Sequence, residues 1–341
     1  MKVIHNPEHS LHDPAFFLVR GISKPSAEKP ERAQRLLEAV ERQGHDVLVA
    51  DSFGPGPRAA IHSPEYLRFL ESAWEEWQKL GDSGVEIIAN VHPGHRPATY
   101  PAHLVGRAGW HMADTACPLG EHTWKAACGS ADVATHGAQL LLDGEREAYA
   151  LCRPPGHHAY ADMAGGFCFL NNSAIAAQEL RRAHERVAIL DVDLHHGNGT
   201  QGIFWHRRDV LTVSIHADPA HFYPFFWGHA HERGEGDGEG YNLNLPLPIG
   251  SGDEIFLAAL REALATIRAF APGALVVALG LDAFQGDPLA GLAVTTSGFS
   301  QIAETIAREG YPTLLVQEGG YLTPELGHNL ESFLSGFASA C

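Results

Sequence analysis

Short runs of aliphatic and β-branched residues alternate along this chain with longer stretches whose apolar positions recur every three to four residues. The runs Val47–Ala50, Ala148–Cys152, Val187–Val192, Val210–His216, Leu275–Leu279 and Thr313–Gln317 predict strands, several of them buried on both faces because polar residues do not interrupt them. The stretches Pro30–Gln43, Pro64–Leu80, Thr123–Leu142, Asn172–Ala183, Asp253–Phe270 and Phe299–Arg308 predict helices. Pro30, Ser63 and Pro64 stand where helices commonly start. Strand–helix alternation predicts a parallel sheet with helices on both faces. No Ser/Gly linker or repeat period divides the chain, so residues 1–341 read as one domain. Two stretches lack periodicity: Ile88–Pro101, with Pro93, Gly94, Pro97 and Pro101, and Asp218–Gly240, rich in aromatic, His and Gly residues. Loops of this length in a compact domain are commonly functional or mobile.

Ligands of open parallel sheets sit beyond the carboxyl ends of the strands, so the residues that follow each strand carry the chemistry. The strand at Val187 runs into Asp191-Val192-Asp193-Leu194-His195-His196-Gly197-Asn198-Gly199-Thr200. Alternation puts Asp191, Asp193 and His195 on one face. Carboxylates next to an apolar strand are costly to bury without a cation, and with an imidazole they suit a divalent metal. The competing reading is a hydrogen-bonded turn capping a helix. Asp282, just past Leu275–Leu279, is by itself an ordinary helix N-cap; beside Asp193 and His195 it completes an Asp-His-Asp set that leaves coordination positions open. Arg153-Pro154-Pro155-Gly156-His157-His158 presents two adjacent imidazoles on a rigid turn. They suit proton handling rather than joint metal ligation. Each needs an orienting partner, and Asp191 and Asn198 are the candidates; the one paired with Asp should be the more basic. Phe167, after Gly165-Gly166, is a channel wall or a core aromatic. Tyr321, after Glu318-Gly319-Gly320, is an oxyanion donor or a surface turn residue. Together these groups read as the yield of five strand ends at one edge of the sheet.

Composition narrows the partners. Lys+Arg is 24 and Asp+Glu 41, a formal charge of −17. That opposes nucleic acid and anionic lipid, which demand a basic face, and favours a cationic or neutral ligand. The hydrophobic share of 45% and charged share of 19% are those of a folded globular protein. No apolar run is long enough to span a bilayer, and the start of the chain lacks the apolar stretch of a signal peptide. Five cysteines, Cys117, Cys128, Cys152, Cys168 and Cys341, form no CxxC pair, as expected for reduced thiols in the cytoplasm. Of the 22 histidines, three, His157, His158 and His195, carry the argument.

Arg-Pro-Pro-Gly-His-His, Gly-Gly-Phe-Cys-Phe-Leu-Asn-Asn, Asp-Val-Asp-Leu-His-His-Gly-Asn-Gly-Thr, Gly-Leu-Asp-Ala-Phe and Glu-Gly-Gly-Tyr together resemble the zinc-dependent histone deacetylase family, over Glu31 to Phe337. Within it the chain is most similar to bacterial acetylpolyamine amidohydrolases, through Ser23–Arg32, Trp74-Glu75-Glu76-Trp77, the insertion Ile88–Gly120 and His216-Ala217-Asp218-Pro219. The resemblance implies an arginase/deacetylase α/β fold with a central eight-stranded parallel sheet. It implies catalytic zinc, or iron(II), on Asp193, His195 and Asp282. It makes His158 the general base and acid, His157 its electrostatic partner with Asp191 and Asn198 behind the pair, and Tyr321 the oxyanion donor. Gly166, Phe167, Tyr223 and Leu289 would line the substrate channel. A structural potassium ion would sit on Asp191, Ser214 and the carbonyls of Asp193, His195 and Ile215. The expected reaction is deacetylation of N-acetylated polyamines or diamines, acetylputrescine and acetylcadaverine among them, to free amine and acetate. The insertion at 88–120 would support a homodimer that narrows the channel entrance. Where acetylpolyamine enzymes carry acidic residues that read distal ammonium groups, this chain has Phe16-Phe17 and Val105, which favours a short or less charged tail. The alternative is a broad acyl-lysine deacetylase acting on proteins or peptides. A binuclear manganese ureohydrolase fits poorly, since Leu281-Asp282-Ala283 lacks a second carboxylate. A metal-binding protein without catalysis leaves His157, His158 and Tyr321 without a purpose.

Overall fold

The computed structural model describes residues 1–94 and 97–340. The strands are β1 (Lys2–His5), β2 (Phe16–Val19), β3 (Ile22–Pro25), β4 (Asp46–Val49), β5 (Glu147–Ala150), β6 (Val187–Asp191), β7 (Val210–Ala217), β8 (Asn242–Leu247), β9 (Ala274–Leu279) and β10 (Thr313–Gln317). Eight of them form one sheet in the order β4-β1-β5-β10-β9-β6-β7-β8, with every neighbouring pair parallel. β2 and β3 stand apart as an antiparallel hairpin that turns at Arg20 and Gly21, both at positive φ.

Every residue of β6, β9 and β10 is buried, which is why they read as unbroken apolar runs. Their side chains alternate between two cores. Leu190, Leu275 and Val277 enter one with Phe256, Leu260, Phe299 and Phe333. Ile189 and Val276 enter the other with Ala131, Ala134 and Ile175. Helices Pro30–Arg42, Thr296–Ala307, Asp253–Phe270 and Leu326–Ala338 cover the first face, while Thr123–Leu142 and Asn172–Leu180 cover the second.

The six strands legible in the pattern are all present, shifted at most two residues at an end. Two sheet strands escaped it. β1 is four residues with polar ends. β8 reads Asn-Leu-Asn-Leu-Pro-Leu, and its proline is tolerated because β8 is an edge strand. The predicted helices are likewise present. Ser63 caps Pro64–Trp77 by accepting the Tyr66 N–H at 3.3 Å, with a 3-10 turn Gln78–Leu80 following. Gly56–Ala59, Leu104–His111, Asn198–Phe204 and Leu326–Ala338 were not anticipated. Ile88–Pro101 has no helix among its described residues; mutual hydrogen bonds between Ile87 and Leu119 close the base of the insertion. Asp218–Gly240 holds one short 3-10 turn, Gly236–Gly238. Cys117, Cys128, Cys152 and Cys168 are unpaired, and Cys341 lies outside the described residues. Among the described residues no helix is long and apolar enough to cross a membrane.

Candidate active site

The four central strands, β5, β10, β9 and β6, end side by side. Beyond β6, Asp193 and His195 turn toward Asp282, which follows β9. One ligand atom from each of the three lies within 4.8 Å of the others, and all three residues are buried. His195 Nδ1 stands 3.2 Å from Asp193 Oδ1 and 3.1 Å from Asp282 Oδ2. Backbone N–H groups aim the carboxylates: His195 and Gly319 donate to Asp193 at 2.8 and 2.7 Å, and Leu194 donates to Asp282 Oδ1 at 3.0 Å. A side chain at Gly319 would overlap both carboxylates. Burial opposes charge on His195, but the two carboxylates outweigh it and push its pKa up to about 9. Two carboxylates and an imidazole converging in a buried, backbone-lined cradle fit a divalent cation, whose charge offsets the cost of burying them.

The turn after β5 delivers the tandem histidines. His157 Nδ1 donates to Asp191 Oδ2 at 2.9 Å, and His158 Nδ1 donates to Asn198 Oδ1 at 2.6 Å. The rings lie 4.1 Å apart, centroid to centroid. Burial disfavours charge on both. At His157 the charges of Asp193 and Asp191 prevail, and its pKa rises well above the ordinary value. At His158 burial acts with the neighbouring His157 and His195, and its pKa falls well below. One imidazole is thus held charged and the other neutral, as the difference between an Asp and an Asn partner predicts.

A channel leads to this floor. His158, Gly166, Phe167, Tyr223, Leu289 and Tyr321 all line it, with Phe17, Asp114, Phe222 and Arg20. Tyr223 meets His158 edge to face at 5.0 Å, and Phe17 packs against Phe167 at 5.4 Å. Tyr321 follows β10 with its ring buried, and burial raises its pKa well above the phenol value, so its hydroxyl stays protonated. The Arg32 guanidinium stacks over that ring at 4.6 Å and donates to the Gly320 and Glu318 carbonyls at 2.5 and 2.8 Å. Glu28 holds Arg32 at 2.6 Å and Arg153 at 2.7 Å.

Residues 26–337 match the histone deacetylase domain. The chain belongs to the histone deacetylase family. Among its relatives are acetylpolyamine amidohydrolases of Burkholderia pseudomallei, 48% identical over 99% of both chains, and of Mycoplana ramosa, 41% identical over 99% of this chain and 100% of the relative. The crystal structure of the acetylpolyamine aminohydrolase from Burkholderia pseudomallei superposes with a TM-score of 0.97 at 48% identity, covering 100% of this chain and 99% of the other. The HDA15 HD domain gives 0.78 at 26% identity, covering 99% and 90%. This member of the deacetylase family is therefore a hydrolase of linear amides. Its α/β fold is the one the resemblance implied.

Within that family frame the site differs from its sequence reading in particular ways. Gly165-Gly166-Phe167 does not follow a strand of its own; it belongs to the long connection after β5, so one strand end supplies both the histidines and a channel wall. Of the three groups that alternation puts on one face past β6, Asp191 is the one that turns to His157, as one of the two candidate partners of the tandem histidines. Asp191 and Ser214 are register partners on β6 and β7 and border a separate cavity of about 10 Å³, room for one water-sized ion. Ile215 follows Ser214 in β7. Phe17 lines the channel, whereas Val105, in the helix Leu104–His111, is not among its lining residues. Sequence reasoning passed over Asp114 and Asp287. Asp287 accepts from the N–H of Tyr321 at 2.9 Å and of Leu289 at 2.8 Å, tying the loop after β9 to the loop after β10. Burial and the charge of Asp282 push its pKa up to about 7.

Proposed function

We propose that this protein is a zinc-dependent amidohydrolase that deacetylates N-acetylated polyamines or diamines, acetylputrescine and acetylcadaverine among them, to free amine and acetate. The observation that carries the reading is a largely apolar channel ending on the Asp193–His195–Asp282 set between His158 and Tyr321; the near full-length similarity to acetylpolyamine amidohydrolases supports the substrate class. A divalent ion on those three ligands supplies Lewis-acid polarisation of the acetamide carbonyl and acidifies water; the Asp/His set accepts zinc or iron(II). His158, with Nδ1 committed to Asn198, keeps a lone pair on Nε2 and is neutral, so it accepts the proton as water adds to the carbonyl carbon. It then returns that proton to the amine nitrogen as the C–N bond breaks. Tyr321 donates its hydroxyl hydrogen to the oxygen that becomes negative. His157, charged and fixed by Asp191, contributes a positive field to the same floor. Potassium on Asp191, Ser214 and the carbonyls of Asp193, His195 and Ile215 would brace the β6–β7 ends. The insertion at 88–120 supports a homodimer that narrows the entrance, and unpaired cysteines suit the reducing cytoplasm, which cell fractionation checks.

Release of amine from acetylputrescine, acetylcadaverine and an acetyl-lysine peptide by the zinc-loaded protein tests the reading. Turnover of the small amides is expected. Turnover of the peptide alone would replace this reading with that of an acyl-lysine deacetylase.

A further inference from the structure

Three successive residues carry the chain from the end of β10 to the channel, and each is tied to a different side chain. The Gly319 N–H donates to Asp193 at 2.7 Å, the Gly320 carbonyl accepts from Arg32 at 2.5 Å, and the Tyr321 N–H donates to Asp287 Oδ2 at 2.9 Å. Asp193 and Arg32 have other engagements, in the metal cradle and in the ion pair with Glu28. Asp287 is buried and stands outside the Asp193–His195–Asp282 set. Its Oδ1 accepts from the N–H of Leu289, a channel-lining residue, at 2.8 Å. Its own N–H donates to the Phe284 carbonyl at 3.0 Å, and its carbonyl accepts from Ala290 at 3.1 Å, so the carboxylate is anchored on a turn that does not depend on Tyr321. The Gly319-Gly320 pair, with Gly320 at φ 111°, offers little resistance to rotation. Beyond it the Tyr321 ring touches only broad surfaces, the Arg32 guanidinium at 4.6 Å and Phe167 at 5.8 Å. Ring contacts tolerate centroid separations over about 4.5–7 Å, so the position of the hydroxyl follows the backbone that carries it.

We infer that Asp287 is a positioning residue for the reaction: its carboxylate fixes the backbone of Tyr321 so that the hydroxyl meets the developing oxyanion, and through Leu289 it holds part of the channel wall in step with that hydroxyl. The inference rests on the amidohydrolase reading above, in which Tyr321 is the oxyanion donor. Such a donor acts only within hydrogen-bond reach of the place the negative oxygen will occupy, and a displacement of about 1 Å can cost 10²-fold in rate. Asp287 touches no reacting atom, so whatever it contributes in this way passes through Tyr321.

The test is a double-mutant cycle on acetylputrescine with the zinc-loaded protein, zinc content being checked by elemental analysis. Asp287→Ala removes both ties and should lower kcat about ten-fold. In the Tyr321→Phe background no hydroxyl remains to be placed, so the same substitution should leave kcat where Tyr321→Phe alone puts it, the non-additivity expected of two groups acting through one interaction. Hydrogen exchange gives a second readout: the Tyr321 amide should exchange faster in Asp287→Ala, with protection in β9 and β10 retained. Asp287→Asn keeps one acceptor oxygen and should show the same pattern with a smaller loss; it decides the matter by the same criteria if Asp287→Ala does not fold. A loss of equal fold in both backgrounds makes Asp287 a general brace, or a charge acting on Asp282, and overturns the inference. Unchanged kcat in the folded Asp287 variants does so too, as does an unchanged Tyr321 amide. Normal turnover by Tyr321→Phe itself defeats the oxyanion assignment beneath the inference, and the inference with it.

Discussion

Two side chains of one type, neighbours in sequence, are driven to opposite protonation states by the different groups around them. Asp193 and Asp191 keep His157 charged, whereas at His158 burial and the neighbouring His157 and His195 outweigh the hydrogen bond to Asn198 and keep the ring neutral. The neutral ring can accept a proton and the charged ring cannot, which is the basis of the proposed roles. His158→Ala should lower kcat about 10³-fold and Tyr321→Phe about 10²-fold, with bound zinc unchanged by elemental analysis. Near-normal turnover in both variants removes these assignments. This scale was largely legible because the motifs are local: Asp191, Asp193 and His195 announce a strand end by their spacing alone. Asp114 and Asp287 were not legible. Each acts by accepting N–H groups from segments far off in sequence, Gly166 for one and Tyr321 for the other, and an aspartate in a loop carries no local sign of that.

Elements bring those groups together, and buried histidines outside the site help to pin them. His62, just ahead of the helix Pro64–Trp77, accepts the Asn171 N–H on Nε2 at 3.0 Å. Asn171 in turn caps the helix Asn172–Leu180 and donates to the Ala159 carbonyl next to His158. Burial pushes the His62 pKa down from 6.5 to about 4. The unfolded chain takes up that proton near pH 6.5 and the folded protein does not, so the stability His62 contributes is whole above 6.5 and is lost as pH falls toward 4. His62→Gln, which keeps an acceptor for the Asn171 N–H, should reduce the stability lost between pH 7 and pH 5 by about 2 kcal/mol in urea unfolding. An unaltered pH dependence would show that His62 does not titrate in this way. The long amphipathic helices and the dry strands were readable because burial on one or both faces writes a period into the sequence. β1 and β8 were not, since a four-residue strand and an edge strand with Pro246 carry too little of that signal.

At the scale of the molecule, the charge of −17 suits capture of a cationic amine, but its distribution matters more than its sum, because the channel lining holds a single acidic side chain among the described residues. The insertion leaves Val91 52% and Tyr100 41% exposed, apolar surface that suits a second copy of the chain. Sedimentation equilibrium should give twice the 36.8 kDa chain mass, and Val91→Asp should raise the monomer share; a wild-type particle of one chain mass excludes the dimer. The sheet order carries a last consequence. The groups of the catalytic floor come from β5, β6, β9 and β10, adjacent in space yet separated along the chain by whole helices. Parallel pairings of that kind form late, after long loops have closed. A nascent or partly folded chain therefore owns no metal cradle: ion capture is a certificate that the middle of the sheet has been completed in register, and it withholds reactive metal chemistry from every unfinished form.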